Sequence, residues 1–140
     1  MITKVSKMYK WEMGHRLTYH QGPCRNIHGH TYRLRIDIEG ELNGDGMVID
    51  YYNIDKVVLP FLQTLDHAFL VDDKDISMIE FLEANELKMK VIPFYSTAEN
   101  IAAFIMNELY PAFVNPGNLI ALTLRIYETD DVFAEITKKL

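Results

Sequence analysis

Apolar and polar residues alternate along the first stretch of the chain, from Val5 to His15, and this alternation predicts a β-strand. Side chains of a strand point to its two faces in turn, so every second residue lies on the same side. The apolar side of this strand ends in a histidine. Its inward members are Tyr9, Trp11, Met13 and His15.

A second alternating stretch begins at His28, after a loop predicted for residues 16–27, which contain Gly22 and Pro23. In this strand the histidines are the first residues of the apolar row, whereas in the first strand the histidine is the last. The pattern therefore predicts a β-hairpin whose two strands both carry histidine on their apolar sides. The apolar row of the second strand consists of His28, His30, Tyr32, Leu34, Ile36 and Ile38.

Helical spacing of apolar residues follows a turn signal at residues 43–46 and a short returning strand predicted for residues 47–50. Apolar residues recur on one helix face from Ile54 to Leu65, and Pro60 among them predicts a kink or a new start.

Capping boxes predict two further helices, a short one that runs toward Leu87 and a longer one from Thr97 to about Tyr110. The longer helix is expected to turn Ile101, Phe104 and Ile105 inward. The two boxes are Ser77 with Glu80, and Ser96 with Glu99.

The last predicted strand runs from about Leu119 to Thr129, after a short strand at residues 89–92 and chain breaks at Pro111 and at residues 115–117. A carboxylate, Glu128, ends its apolar row, and a charge in such a place needs a partner because burying it alone is costly. The other members of the row are Ile120, Leu122, Leu124 and Ile126. The order of hairpin, helices and closing strand predicts one α+β domain over residues 1–140 with an antiparallel sheet.

Composition narrows the classes of partner. The chain has 140 residues, a net charge of −6 and a pI of about 5.3, which argues against nucleic-acid binding through a general basic surface. A local basic pocket for a small anion is compatible with these values. We predict a cytoplasmic protein without membrane contact, for three reasons. The chain has a single cysteine, no apolar run long enough to span a bilayer and no recognisable signal peptide.

The three histidines on apolar faces are candidate metal ligands. An H-x-H pair on a strand aims both rings at one point, and a third histidine on a neighbouring strand completes one face of a tetrahedron. Catalytic zinc is typically held by three protein groups with an open fourth position. The competing interpretation is that His15, His28 and His30 only pack at a sheet edge.

Other residues offer acid–base chemistry. Cys24 lies in the polar loop beside Arg25, where positive charge favours a thiolate, although a small buried cysteine is an alternative interpretation. Asp66 is followed by His67, and a carboxylate can fix the tautomer of a histidine, but a histidine at a helix C-terminus is also a favourable partner of the helix dipole. Glu128 is the candidate for a buried, partnered carboxylate, whereas Glu99 is interpreted as a capping residue.

Several separated motifs resemble the 6-pyruvoyltetrahydropterin synthase and 6-carboxytetrahydropterin synthase family. They occur in the family's order and extend over nearly the whole chain. The motifs are GHRL at 14–17, Cys24-x-x-x-His28-Gly29-His30, Ile49-Asp50-Tyr51, Leu65-Asp66-His67, Ser96-Thr97-Ala98-Glu99-Asn100 and Glu128-Thr129.

The resemblance implies roles for these residues. It implies a Zn²⁺ cofactor, with His15, His28 and His30 as ligands. Cys24 is expected to be the general base, and Asp66 with His67 its acid–base partner. Glu128 is expected to anchor the pterin ring, with further polar contacts from Ser96 and Thr97. Lys7, Arg16 and Arg25 are candidates for contact with the triphosphate.

The resemblance also implies the tunnelling fold, or T-fold, with a four-stranded antiparallel sheet and helices on one face. Trimers would close their sheets into a barrel, two trimers would form a homohexamer, and the active sites would lie between subunits. Three residues between Cys24 and the HGH motif resemble the 6-carboxytetrahydropterin synthases of queuosine synthesis, which act on 7,8-dihydroneopterin triphosphate. The alternatives are a pyruvoyl synthase and a non-catalytic protein with a closed structural zinc site, with Cys24 or His20 as fourth ligand.

Overall fold

The two alternating stretches form long strands, as predicted. The computed structural model describes residues 1–114 and 116–140. Asn115, part of the predicted break at 115–117, lies outside the described residues. The strands are β1 (Thr3–His15), β2 (His28–Gly40), β3 (Ala68–Asp72), β4 (Met89–Ile92), β5 (Leu119–Thr129) and β6 (Val132–Lys139), and the helices are α1 (Tyr51–Leu65), α2 (Ile76–Ala84) and α3 (Ala98–Leu109).

The described residues form one mixed sheet with strand order β4-β3-β1-β2-β5-β6. Strands β1, β2, β5 and β6 pair antiparallel. Strands β3 and β4 extend this sheet beyond β1 with parallel pairings. The α+β class and the antiparallel sheet are therefore confirmed, but the prediction of four strands was too low. Strand β3 escaped prediction because its apolar run does not alternate, and β6 because it is an edge strand whose residues are mostly exposed.

The main core lies between the sheet and the two longer helices. Helix α1 buries Ile54, Val58, Leu62 and Leu65 against it. Helix α3 adds Ile101 and Ile105, whereas Phe104 is only partly buried. Within a strand, neighbouring side chains point to opposite faces, and Leu70 joins the main core while Val71 packs against α2 in a separate cluster. Helix α2 thus covers the other face of the sheet at β3, and the rest of that face stays open.

Helix starts differ from the capping boxes by one or two residues. Helix α2 is capped by Asp75, whose carboxylate accepts a hydrogen bond from the Met78 amide, and helix α3 by Thr97, which accepts from the Asn100 amide at 3.2 Å. Capping from Ser77 and Ser96 was therefore a wrong prediction. Carboxylates cap as well as hydroxyls, so nearby candidates compete.

Three smaller predictions also need correction. Residues 47–50 form no strand, because Asp50 ends the segment by capping α1 through the Tyr52 amide. Helix α1 continues through Pro60 without a new start. The ring lies on the exposed side, where the Lys56 carbonyl can bond to water. Ile120 is exposed because a bulge near the Gly40 end of β2 interrupts the alternation.

Candidate active site

Three histidines meet at one end of the main core. His15, the last residue of β1, is the register partner of His28, the first residue of β2. His30 follows two residues later on the same face. One ring nitrogen from each of the three lies within 4.8 Å of the others. The strand ends therefore bring together the residues that the alternation placed on apolar faces.

Backbone carbonyls fix the orientation of two of these rings. His15 Nδ1 lies 2.9 Å from the Ser96 carbonyl oxygen, and His28 Nδ1 lies 2.7 Å from the Asn26 carbonyl oxygen. A carbonyl can only accept, so both Nδ1 atoms carry the proton and each Nε2 is left as a ligand atom. The sequence offered no signal for the role of Asn26.

The spacing of the nitrogens suits a small tetrahedral cation. His15 Nε2 and His30 Nε2 lie 3.2 Å apart. Two nitrogens that each lie ~2.0–2.1 Å from one tetrahedral zinc are separated by about 3.3 Å. The donor set and its geometry thus fit zinc, with His15, His28 and His30 as the residues that would hold it.

Burial keeps the rings of His15 and His30 neutral. His15 is only 2% exposed, and this burial, with repulsion from His28 and His30, lowers its pKa to about 4 against the opposing effect of the Ser96 carbonyl. Burial and the neighbouring His28 also lower the pKa of His30. Neutral imidazole is the form that binds a metal, so these shifts favour ligation at neutral pH.

Glu128 lies beside the histidine cluster at the end of β5. Its Oε2 is 3.8 Å from His30 Nε2. The carboxylate is half-buried, and burial raises its pKa, with a further contribution from Glu99 and an opposing one from His28. The apolar row thus indicated the partial burial of this carboxylate, and His30 is its neighbour.

Ser96 is buried and supports His15. Its hydroxyl oxygen lies 3.1 Å from His15 Nδ1 and donates to the Arg16 carbonyl at 3.4 Å. Thr97 caps α3 through its side chain. Pterin contact by these two residues stays a prediction, and the structure adds a role for Ser96 in holding a candidate ligand.

Cys24 lies in a one-turn 3-10 helix at residues 23–25, within the loop between β1 and β2. Its thiol is free and half-buried, and its carbonyl accepts a hydrogen bond from the Leu17 amide at 2.9 Å. Among the described residues, no hydrogen bond joins the thiol to Asp66 or His67. The loop therefore holds the cysteine without a hydrogen bond to its predicted partner within the described part of the chain.

Asp66 and His67 do form a pair. Asp66 Oδ1 lies 3.0 Å from His67 Nδ1 and accepts from the Glu12 amide at 2.9 Å. Both contacts lower the pKa of the Asp66 carboxyl, and the hydrogen bond from the Glu12 amide has the larger effect. His67 has a left-handed backbone with φ of 59°, and its amide donates to the Glu12 carbonyl at 2.7 Å. The backbone strain is offset by this anchorage to β1.

The Asp66–His67 pair lies on the open face of the sheet. Glu12 and Gly14 alternate with Met13 and His15, so they point away from the histidine cluster. His67 lines a groove of about 550 Å³ together with open-face residues, among them Glu12, Gly14, Thr31 and Phe69, and His30 of the cluster also borders this groove. One chain therefore places the predicted metal ligands and the predicted acid–base pair on opposite sides of its sheet.

Two of the three candidate phosphate contacts are engaged elsewhere. Arg16 donates to both Asp75 oxygens at 2.7 and 2.6 Å. Lys7 bonds to Asp55, and it lies eight residues before His15, roughly 26 Å along a strand. Arg25 is exposed beside Cys24 and remains the available candidate in its own chain.

Comparison with known proteins assigns the chain to a family. The family model described as 6-pyruvoyl tetrahydropterin synthase matches residues 4–139. The chain belongs to this family. A 6-carboxy-5,6,7,8-tetrahydropterin synthase from Haemophilus influenzae is 36% identical over 140 residues, which cover 94% of this chain and 96% of that protein. The enzyme of the same name from Rickettsia conorii is 31% identical over 96% of this chain and 100% of its own.

Solved structures of the family share the fold. A 6-pyruvoyltetrahydropterin synthase from Plasmodium vivax, with its catalytic residue replaced, superposes with a TM-score of 0.80 over 100% of this chain and 99% of its own. Its sequence identity is 17%, so the likeness concerns the fold. Family membership confirms the prediction of an enzyme with the T-fold. No helix in residues 1–114 and 116–140 combines the length and apolarity needed to cross a membrane.

Proposed function

We propose that the chain is a zinc-dependent 6-carboxy-5,6,7,8-tetrahydropterin synthase. It would convert 7,8-dihydroneopterin triphosphate and water to 6-carboxytetrahydropterin, triphosphate and acetaldehyde. The observation that carries the proposal is the convergence of three histidine ring nitrogens beside the half-buried carboxylate of Glu128. Two relatives that cover nearly the whole chain bear the carboxy-forming name, which favours this product over the pyruvoyl one.

The metal site is proposed to be open and catalytic. Zinc bound there would polarise the side-chain oxygens of the substrate and make the neighbouring C–H and O–H groups more acidic. A closed structural site would need a fourth ligand from Cys24 or His20. Neither joins the described three-histidine group, and His20 Nδ1 already accepts a hydrogen bond from the Gly22 amide at 2.9 Å.

Glu128 is proposed to hold the pterin ring. A carboxylate can accept two parallel hydrogen bonds from the 2-amino and N3 groups of the ring, which orients the side chain of the substrate toward the histidines. The raised pKa of Glu128 records how poorly its charge is solvated, so a ligand that donates to it recovers stabilisation that the free site lacks.

Cys24, Asp66 and His67 are proposed to move protons on the substrate side chain. Because the Asp66–His67 pair lies on the open face, we infer that it serves the histidine cluster of a neighbouring subunit. This arrangement supports the homohexamer with shared sites that the family resemblance implies. Arg25 would then contact the triphosphate, in a cytoplasmic enzyme that supplies queuosine synthesis.

Product identification tests the proposed function. Purified protein with added zinc is incubated with 7,8-dihydroneopterin triphosphate, and the products are separated and weighed by mass spectrometry. We expect 6-carboxytetrahydropterin and acetaldehyde. A pyruvoyl side chain without acetaldehyde would instead assign the alternative synthase, and zinc binding without turnover would support the structural-site alternative.

A further inference from the structure

The hydroxyl of Tyr32 stands out in the candidate site. Tyr32 has no exposed surface, and among the described residues its hydroxyl oxygen is a buried side-chain atom without a hydrogen-bond partner. Leaving a buried hydroxyl unbonded is unfavourable, and phenylalanine would fill the same volume without that cost. The hydroxyl therefore calls for a partner that arrives in another state of the site.

The ring of Tyr32 is held tightly on both sides. It stacks on Trp11 with centroids 5.4 Å apart and planes inclined by 19°. Its other neighbours are the candidate ligands His15 and His30, which meet it edge to face at 5.9 and 5.3 Å. Since the ring is fixed, any new contact of the hydroxyl has to come from a group that moves toward it.

Glu128 is the acidic group placed to do so. Arg33 and Tyr127 are register partners of β2 and β5, so the next residues, Tyr32 and Glu128, lie side by side on the core face. Burial, with a smaller contribution from the charge of Glu128, raises the pKa of the phenol, so its O–H remains a donor. The carboxylate also faces His30, at 3.8 Å.

We propose that Tyr32 is a positioning residue for Glu128, donating its O–H to one carboxylate oxygen when a pterin ring occupies the site. The inference rests on the proposed function and goes beyond it by naming the group that orients the ring anchor. Without a ligand the hydroxyl has no partner among residues 1–114 and 116–140. When the pterin ring draws the Glu128 carboxylate into its bound orientation, the Tyr32 hydroxyl donates a hydrogen bond to one of the two carboxylate oxygens.

The test compares Tyr32→Phe with Tyr9→Phe, which removes a second buried tyrosine hydroxyl. Tyr9 O–H donates to Asp55 at 2.6 Å, far from the histidines. We expect Y32F to weaken the binding of neopterin roughly 10-fold or more. Fluorescence titration of the zinc-loaded protein measures this affinity. The melting temperature of Y32F without ligand should not fall, and its zinc content should stay that of the wild type. Y9F should melt earlier and bind neopterin normally.

A Glu128→Ala background separates positioning from direct contact. If Tyr32 acts through Glu128, Y32F causes no further loss of neopterin affinity in that background. An equal loss of neopterin affinity in the Glu128→Ala background would overturn the proposal. Unchanged affinity of Y32F in the presence of Glu128 would also overturn it, as would a loss of affinity that parallels a loss of zinc. If the wild-type protein binds no neopterin or other pterin, the proposed function fails and this inference with it, whereas normal wild-type binding with an unaffected Y32F refutes the inference alone.

Discussion

The histidine cluster and the Asp66–His67 pair differ in how completely one chain builds them. The cluster lies on the covered face, where the Ser96 and Asn26 carbonyls orient two of the rings and burial keeps His15 neutral. The acid–base pair lies on the open face with the His67 side chain 76% exposed. Under the proposed function, metal and ring binding would therefore be prepared within one chain, whereas proton transfer would require a residue pair from a neighbouring subunit.

The largest expected effect is the loss of metal from a His28→Ala variant. Changing an outer-sphere partner of a ligand typically costs 10–100-fold in metal affinity, so removing a ligand itself should cost at least about 100-fold and abolish turnover. Zinc content after dialysis, measured by mass spectrometry, gives the result. His20→Ala is the matched control, since His20 lies outside the cluster, and zinc loss from that variant would contradict a site made by His15, His28 and His30.

Glu128→Gln should weaken substrate binding without harming the fold. A hydrogen bond to a charged group contributes roughly 1.5–3 kcal/mol, so KM should rise about 10-fold to 100-fold. Thermal stability should stay equal or increase, because the amide removes a poorly solvated charge. The exposed Glu83 of α2 provides the control variant Glu83→Gln, which should leave both quantities unchanged. A change in kcat alone would argue against a ring anchor.

The metal-free protein should lose stability as the pH falls from about 6.5 to 4. His15 has a pKa of about 4 in the fold and an ordinary value near 6.5 when unfolded. Between these two pKa values the unfolded chain binds more protons than the folded chain. The free energy of unfolding is therefore highest above pH 6.5 and falls by up to about 3 kcal/mol as the pH decreases to 4. Urea unfolding of apo-protein at several pH values measures the slope. His15→Gln should flatten it, and an unchanged slope would assign the acid sensitivity to other groups.

The smallest effect is expected for Arg16→Gln. The variant leaves the buried Asp75 carboxylate without its bidentate partner, at a cost of about 1–3 kcal/mol in the free energy of unfolding. Zinc content should stay that of the wild type, since Arg16 faces Asp75 and not the ligands. Impaired triphosphate binding without destabilisation would instead return Arg16 to the list of phosphate contacts.

Strand alternation was enough to predict that the three histidines share apolar faces, but not where the Asp66–His67 pair lies. His15, His28 and His30 continue apolar rows, so period-two spacing alone brings them together. Asp66 and His67 depend on β3, whose apolar run carries no alternation, and on the parallel register of β3 with β1. That long-range pairing decides the face on which the pair lies, and local sequence does not encode it.

Local competition explains the remaining errors. Ser96 matched a capping signal, yet Thr97 caps α3 and Ser96 supports His15 instead. Asp75 caps α2, although the hydroxyl of Ser77 fits the capping-box spacing. The unpartnered hydroxyl of Tyr32 was invisible in sequence, where tyrosine in an apolar row indicates only core packing.

Mixing two inactive variants tests the division of the site most directly. Cys24→Ala and His67→Ala should each lose about 10²–10⁴-fold in turnover of 7,8-dihydroneopterin triphosphate. If Cys24 of one subunit works with His67 of another, co-refolded mixtures should regain about a quarter of wild-type turnover, because each partner is of the right type half the time. Mixtures that stay as inactive as the separate variants, despite mixed oligomers, would contradict a site shared between chains.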